Sequence, residues 1–544
     1  MNSLNELSGV FVDIFSRKLR NGIFEISDGK IVSFRDDNDA IGPYIMPGFV
    51  DAHIHIESSM LVPYEFARVA LRYGTVATVS DPHEIANVMG VDGVEYMLEN
   101  AKGAGLKFCF GAPSCVPATV FESAGAKLDS NEVNSLLQRD DIYYLSEMMN
   151  YPGVLFKDPE VLRKIELAKK IKKPVDGHAP GLRGDDAKNY IAAGISTDHE
   201  CFTLDEALDK LSYGMKILIR EGSAARNFEA LHPLLKDHAD MCMFCCDDKH
   251  PDELLTGHIN EHVKRAVKLG YDLFDVLRVA CINPVMHYGI PSGLLRPGDS
   301  ADFILVEDLK NFGVLKTVIN GEILFDGTEV LLEKKKHKVI NNFNAGLCSP
   351  ADFELKAEST KVKTIIAYDG QLITSEESMD CAIVNGMACA DPSKDILKIV
   401  VLNRYQAAKP SVAFIKNFGL KSGAIASSVA HDSHNIIAVG VSDEEIASSV
   451  NLLVESRGGL SLSNKTEKLV LSLPVAGLMS DLDCITAAEL YSALDKKAKE
   501  LGSTLRAPYM TLSFMALLVI PQLKLSDKGL FDGNTFVFAD LFVE

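Results

Sequence analysis

The chain lacks a long apolar run, lacks a second Cys-x-x-Cys to partner the one at Cys242–Cys245, and carries too little positive charge to gather a nucleic acid. Its longest apolar stretches, such as Met515–Ile520 (MALLVI), fall far short of the ~20 residues that a membrane helix needs. The opening segment, MNSLNELSGVFVDIF, lacks the basic, apolar, small-residue order of a secretory signal, so a cytoplasmic protein is expected. Fifty-five Lys plus Arg against 75 Asp plus Glu leave a formal charge of −20, which would repel a phosphate backbone. Neither nucleic acid nor membrane is expected as a partner. Eleven cysteines in 544 residues are too sparse for a disulfide framework, and adjacent Cys245 and Cys246 suit neither a bridge nor a zinc knuckle. Together with Cys201 they read as small packing residues.

What is present is an ordinary globular composition, 47% hydrophobic and 24% charged, which excludes disorder, collagen and coiled coil as whole-chain readings. At ~150 residues per domain, the length suggests three or four domains, or one large barrel with additions. Short apolar runs end repeatedly in polar, chemically capable residues: GFVDAHIH at His55, TVATVSD at Asp81, KFCFGAPS at Ser114 and IYYLSE at Glu147. The series continues with KPVDGH at His178, GISTDH at His199, MKILIREGS at Ser223 and MCMFCCD at Asp247. The runs recur about every 27 residues, with helix-like stretches such as VPYEFARVALRYG between them. Eight strand–helix units predict an α/β fold built on a (β/α)₈ barrel of the TIM type, and the functional-looking residues cluster at the strand ends, where such barrels place their sites. An open doubly wound sheet is the alternative, and the count of eight argues against it.

The flanks differ. Residues 1–47 and 288–345 alternate apolar and polar residues between turn signals and predict one discontinuous small β-domain around a barrel of residues 48–287. The basic stretch EKKKHKVINNFN (333–344) reads as a connection, and residues 346–544 as a C-terminal α/β domain.

Histidine carries the chemical signal. His53 and His55 alternate on one strand and so point the same way. Glu57 completes an H-x-E, but the P-C-x-x-C of the nucleobase-deaminase zinc signature is absent. Glu147, His178, His199 and Asp247 sit at four further strand ends. Four imidazoles and two carboxylates at one barrel mouth can hold two divalent ions, and N/O ligands without thiolate suit zinc, iron or manganese. His83 and Glu84 follow the second run, as active-site residues or as helix-capping residues with solvated side chains. Asp248, Arg220, Ser223 and Glu57 are candidate substrate contacts. Arg220 paired to a structural carboxylate, and Asp248 capping a turn, are the plain alternatives. His431 and His434 lie in VAHDSHN, after the small residues SGAIASS, and predict a loop that covers the barrel mouth, from the same or a neighbouring subunit, or holds an additional metal; two solvated loop histidines are the alternative.

The stretches MPGFVDAHIHIESSM, TVATVSDPHEIANVMG, DGHAPGL, GISTDHECFT, REGSAARN, CCDDKHPDELL, RPGDSADFILVEDL and VAHDSHNIIAVG resemble the metal-dependent amidohydrolase superfamily and, within it, the bacterial adenine deaminase family. The resemblance runs nearly the whole length. It implies hydrolytic deamination of adenine to hypoxanthine and ammonia in purine salvage, at a dinuclear Mn²⁺ or Fe²⁺ centre, with Zn²⁺ as a further option. Where many superfamily members carry a carboxylated lysine, this chain has Glu147. His53 and His55 with Asp247 are expected on one ion and His178 and His199 on the other, with Glu147 bridging. Asp247 is expected to take water's proton and return it to the amine. A homodimer or larger assembly is expected from base rates. Another amidohydrolase, acting on a different nucleobase or a cyclic amide, is the closest alternative, and a metal-free scaffold of the same fold the remote one.

Overall fold

A computed structural model describes residues 5–223 and 225–543 of the chain. Eight parallel strands occur in the expected order: β1 (Phe49–Ile54), β2 (Thr75–Ser80), β3 (Lys107–Ala112) and β4 (Ile142–Met148), then β5 (Val175–Gly177), β6 (Thr197–Asp198), β7 (Lys216–Arg220) and β8 (Cys242–Cys245). Strands β1–β5 form one sheet and β6–β8 another. Hydrogen bonds cross both seams. The Ser196 N–H donates to Val175 O at 2.9 Å, and the Asp247 N–H donates to His53 O at 2.9 Å beside an Ile54–Asp247 bridge. The strands are almost entirely buried, the pattern of a parallel sheet covered by helices.

The intervening helices are legible in their caps. Helix Pro159–Lys170 starts where Asp158 accepts two backbone N–H bonds and Pro159 supplies a preset φ. Val161, Ile165 and Ala168 then recur on one buried face. The close β5–β6 approach needs Gly177, because a Cβ there would lie 2.4 Å from Thr197 O.

The flanking segments join, as their alternation implies. One seven-stranded sheet runs Glu322–Phe325, Val314–Ile319, Phe303–Val306, Tyr44–Pro47, Glu6–Asp13, Lys18–Ser27 and Lys30–Asp36, so chain from before and after the eight parallel strands shares it. Phe11, Phe24 and Phe34 pack within it at ring separations of 4.7–5.1 Å. Beyond residue 346, a nine-stranded mixed sheet packs against helix Asp443–Ser456. This C-terminal part reaches back to the first: Asn435 donates to Ser123 O at 2.8 Å and the Ser480 N–H to Met60 O at 2.8 Å. No helix among the described residues is long and apolar enough to cross a membrane.

Candidate active site

The strand ends converge. Two residues apart on β1, His53 and His55 place their Nε2 atoms 3.2 Å from each other. Asp247 leaves β8 in the left-handed region, φ 56°, and its Oδ1 lies 3.5 Å from His53 Nε2 and 3.2 Å from His55 Nε2. Glu147, on β4, faces both sides. Its Oε2 is 2.8 Å from His178 Nδ1 and 3.2 Å from His199 Nε2, while its Oε1 is 3.4 Å from His55 Nε2 and 3.6 Å from His83 Nδ1. All six expected ligands are buried.

Burial alone would raise the Glu147 carboxyl, but His178, His199 and His55 outweigh it and hold the group well below the carboxylate range. Asp247 is likewise held low against burial, by the Arg220 guanidinium and then by His53 and His55. Burial and the His199 charge push His53 down, whereas Glu147 and Glu200 overcome burial to lift His178 to about 9.

A shell of buried carboxylates supports these groups. Asp51 Oδ1 accepts the Cys246 N–H at 3.0 Å and the His53 N–H at 3.3 Å, and its Oδ2 lies 2.9 Å from His258, locking β1 to β8. Asp198 accepts from the Ala179 N–H at 3.1 Å and from the buried Lys210 ammonium at 2.5 Å, so one ion pair steadies the residues beside His178 and His199. Asp81 joins the site through His83, 3.2 Å away. In the sequence Asp81 marks only the end of an apolar run. Glu200 and Asp432 carried no separable signal, being masked by the histidines next to them.

The cavity above these groups is lined by His83, Glu84, Asp248, His431, Asp432 and, from the C-terminal part, Leu372, Phe514, Leu517 and Val519. Glu84 sits between two imidazoles of that part: its Oε1 is 2.6 Å from His431 Nδ1, and its Oε2 contacts His434 Nε2. The VAHDSHN loop therefore covers the mouth from within the same chain. Burial raises Glu84, but His431, His434 and His83 outweigh it. Asp248 receives the Ser58 hydroxyl at 2.5 Å and is pushed up by burial and then by Asp247.

Three expected substrate contacts have other partners. Arg220 lines the cavity, but its guanidinium is engaged by Glu200 and Asp247, the structural pairing. Glu57 is not among the cavity-lining side chains; its Oε1 accepts the Ile85 N–H at 3.2 Å, because helix His83–Met89 starts against it. Ser223 also lies off the cavity, donating to Glu253 at 3.0 Å and accepting the His250 N–H at 2.9 Å. The packing reading holds for Cys201, Cys245 and Cys246, all buried free thiols.

Known proteins are similar to this sequence along nearly its whole length. Residues 44–324 match the amidohydrolase family, and residues 371–537 match the adenine deaminase C-terminal domain. The adenine deaminase of Sulfurovum sp. (strain NBC37-1) is 56% identical, over 98% of this chain and 99% of its own. That of Salinibacter ruber is 52% identical over 99% of each, and that of Methanosarcina acetivorans 52% over 98% of this chain and 99% of its own. Among solved structures, a beta-aspartyl dipeptidase of Fervidobacterium islandicum AW-1 is 16% identical, covers 60% of this chain and 98% of its own, and has a TM-score of 0.47. A dihydropyrimidinase of Brevibacillus agri NCHU1002 is 15% identical, covers 60% and 95%, and has a TM-score of 0.46. Matched end to end by relatives that share half its residues, the chain belongs to the adenine deaminase family of amidohydrolases.

Proposed function

We propose that this chain hydrolyses adenine to hypoxanthine and ammonia, on a (β/α)₈ barrel (residues 48–287) flanked by a small β-domain (1–47 with 288–345) and a C-terminal domain (346–544). The hydrogen bonds across both sheet seams support the barrel. The observation that carries the reading of the site is Glu147, whose two oxygens face two different histidine sets.

The donor set suits a pair of divalent ions, Mn²⁺ or Fe²⁺ with Zn²⁺ also accommodated, because it offers nitrogen and oxygen without thiolate. Its nitrogens also crowd one another in a way hydrogen bonds alone do not explain: His53 Nε2 lies 3.2 Å from His55 Nε2, and His83 Nε2 is buried without a hydrogen-bond partner among the described residues. His53, His55 and Asp247 would hold one ion and His178 and His199 the other, with Glu147 shared. Such ions lower the pKa of water so that hydroxide is available near neutral pH. His83 would support the Glu147 side.

In the reaction the C6–O bond forms and the C6–N bond breaks. Of water's two protons, one ends on ammonia and one on the purine ring. Asp247 takes the first and passes it to the departing amine. Glu84, held between His431 and His434, stands next in line for that task, and Asp248 is placed to contact the ring. Phe514, Leu517, Val519 and Leu372 present an apolar roof suited to a flat base. A ribose would need added room beneath that roof. Ammonia release by metal-loaded protein should therefore be faster with adenine than with adenosine, guanine, cytosine or hydantoin. Faster turnover of adenosine, or ring opening of hydantoin as the main activity, would overturn the assignment.

A further inference from the structure

Behind the loop that carries Asp247 and Asp248 lies a second cleft of about 430 Å³, walled by helix Ile259–Lys268 and by the loops after β7 and β8. In a chain of charge −20 it gathers five cations: Arg226, Lys249, Lys264, Arg265 and Lys268. Three carboxylates share the cleft, and each is already matched. Glu221 meets Arg265 at 3.0 Å, Glu253 meets Arg226 at 2.5 Å, and Glu261 meets Lys264 at 3.4 Å.

Lys249 is left over. It is only 8% exposed, lines the cleft, and makes no hydrogen bond or ion pair with the described residues. Its stem is buried and its ammonium opens into the cleft with no counter-ion among the described residues, so an anion entering the cleft would complete the pair. Lys268, one helical turn beyond Lys264, stands exposed at the rim as a second positive charge. The left-handed Asp247 turns the chain so that Asp247 faces the catalytic cavity while Lys249, two residues on, faces the cleft. The two sides are stitched together, because the Ser223 N–H donates to Asp248 O at 2.7 Å and its hydroxyl accepts the His250 N–H at 2.9 Å.

We propose that this cleft binds a phosphate-type oxyanion, with Lys249 as the buried anchor and Lys268 at the rim. Ammonium groups serve phosphate as point charges, and one held on a buried stem gives up little side-chain freedom in doing so. Free phosphate and the phosphate of a sugar ester share this chemistry, and the loop carrying Asp247 would register either one.

Calorimetric titration of the metal-loaded full chain with inorganic phosphate, and separately with ribose 5-phosphate, tests the site at an ionic strength fixed with chloride. Heat is read without adenine, so the result is independent of the deamination reading. Saturable binding is expected, weakened about 10- to 100-fold in Lys249→Gln, as one charge-assisted contact is lost. A smaller loss, about threefold, is expected in Lys268→Gln, whose exposed position leaves folding untouched. Lys18→Gln, on the seven-stranded sheet, should bind like the parent. Tighter binding of the ester marks a phosphorylated metabolite, and equal binding marks free phosphate. Absence of saturable binding, or equal binding by Lys249→Gln (as for an anion held at the barrel cations), would overturn the proposal.

Discussion

A carboxylate that faces two histidine sets and one that faces a single set should fail differently when neutralised. Glu147→Gln keeps the shape but removes the charge from which both sides draw, so metal occupancy and turnover should fall together. Asp247→Asn keeps one oxygen toward His53 and His55 and loses the capacity to accept a proton. Metal should largely stay, while turnover falls by about 10²–10⁴, the usual worth of acid–base catalysis. Metal analysis and ammonia release on the same preparations compare the two. Near-normal turnover in Asp247→Asn would move the proton acceptor to Glu84, which shares the cavity.

At the scale of elements, the roof is what the C-terminal part adds. His431 and His434 come from one loop and clasp Glu84 in the first turn of helix His83–Met89, so replacing both with alanine should impair turnover without unfolding the protein. Unaltered kinetics and metal content would remove the loop from the site. Lys524 secures the same roof: fully buried, it donates to Leu372 O at 2.5 Å and Phe514 O at 3.0 Å, and burial lowers it to about 7. Between pH 7 and its ordinary value of about 10.4, the unfolded chain holds a proton here that the folded chain does not. This group therefore makes stability rise with pH across that window and fall as pH drops toward 7. Lys524→Met should flatten the slope by up to about 1.4 kcal/mol per pH unit, as read by denaturant melts from pH 7 to 10. An unchanged slope would show that the amine is charged in the folded state. The strands were legible in advance because a buried parallel strand is a bare apolar run, and its end is marked by the first polar residue. The roof was not: Leu372 and Phe514–Val519 lie far along the chain, and an apolar loop residue looks the same whether it meets a core or a cavity. Glu57 and Ser223 misled for a related reason, since a polar residue near a strand end can serve a helix start or a neighbouring loop as readily as a ligand.

At the scale of the molecule, segments from both sides of the eight strands share one sheet, and residues of the C-terminal part line a part-apolar cavity above a nest of nitrogen and oxygen donors. On the proposed reading, this nest works as a two-ion centre for deaminating adenine. Stepwise return of Mn²⁺ or Fe²⁺ to metal-stripped protein, followed by ammonia release from adenine, tests it most directly. Activity should be absent without metal and should climb until two ions are bound per chain. Full adenine turnover by the metal-free protein, or a plateau at one ion per chain, would contradict the claim.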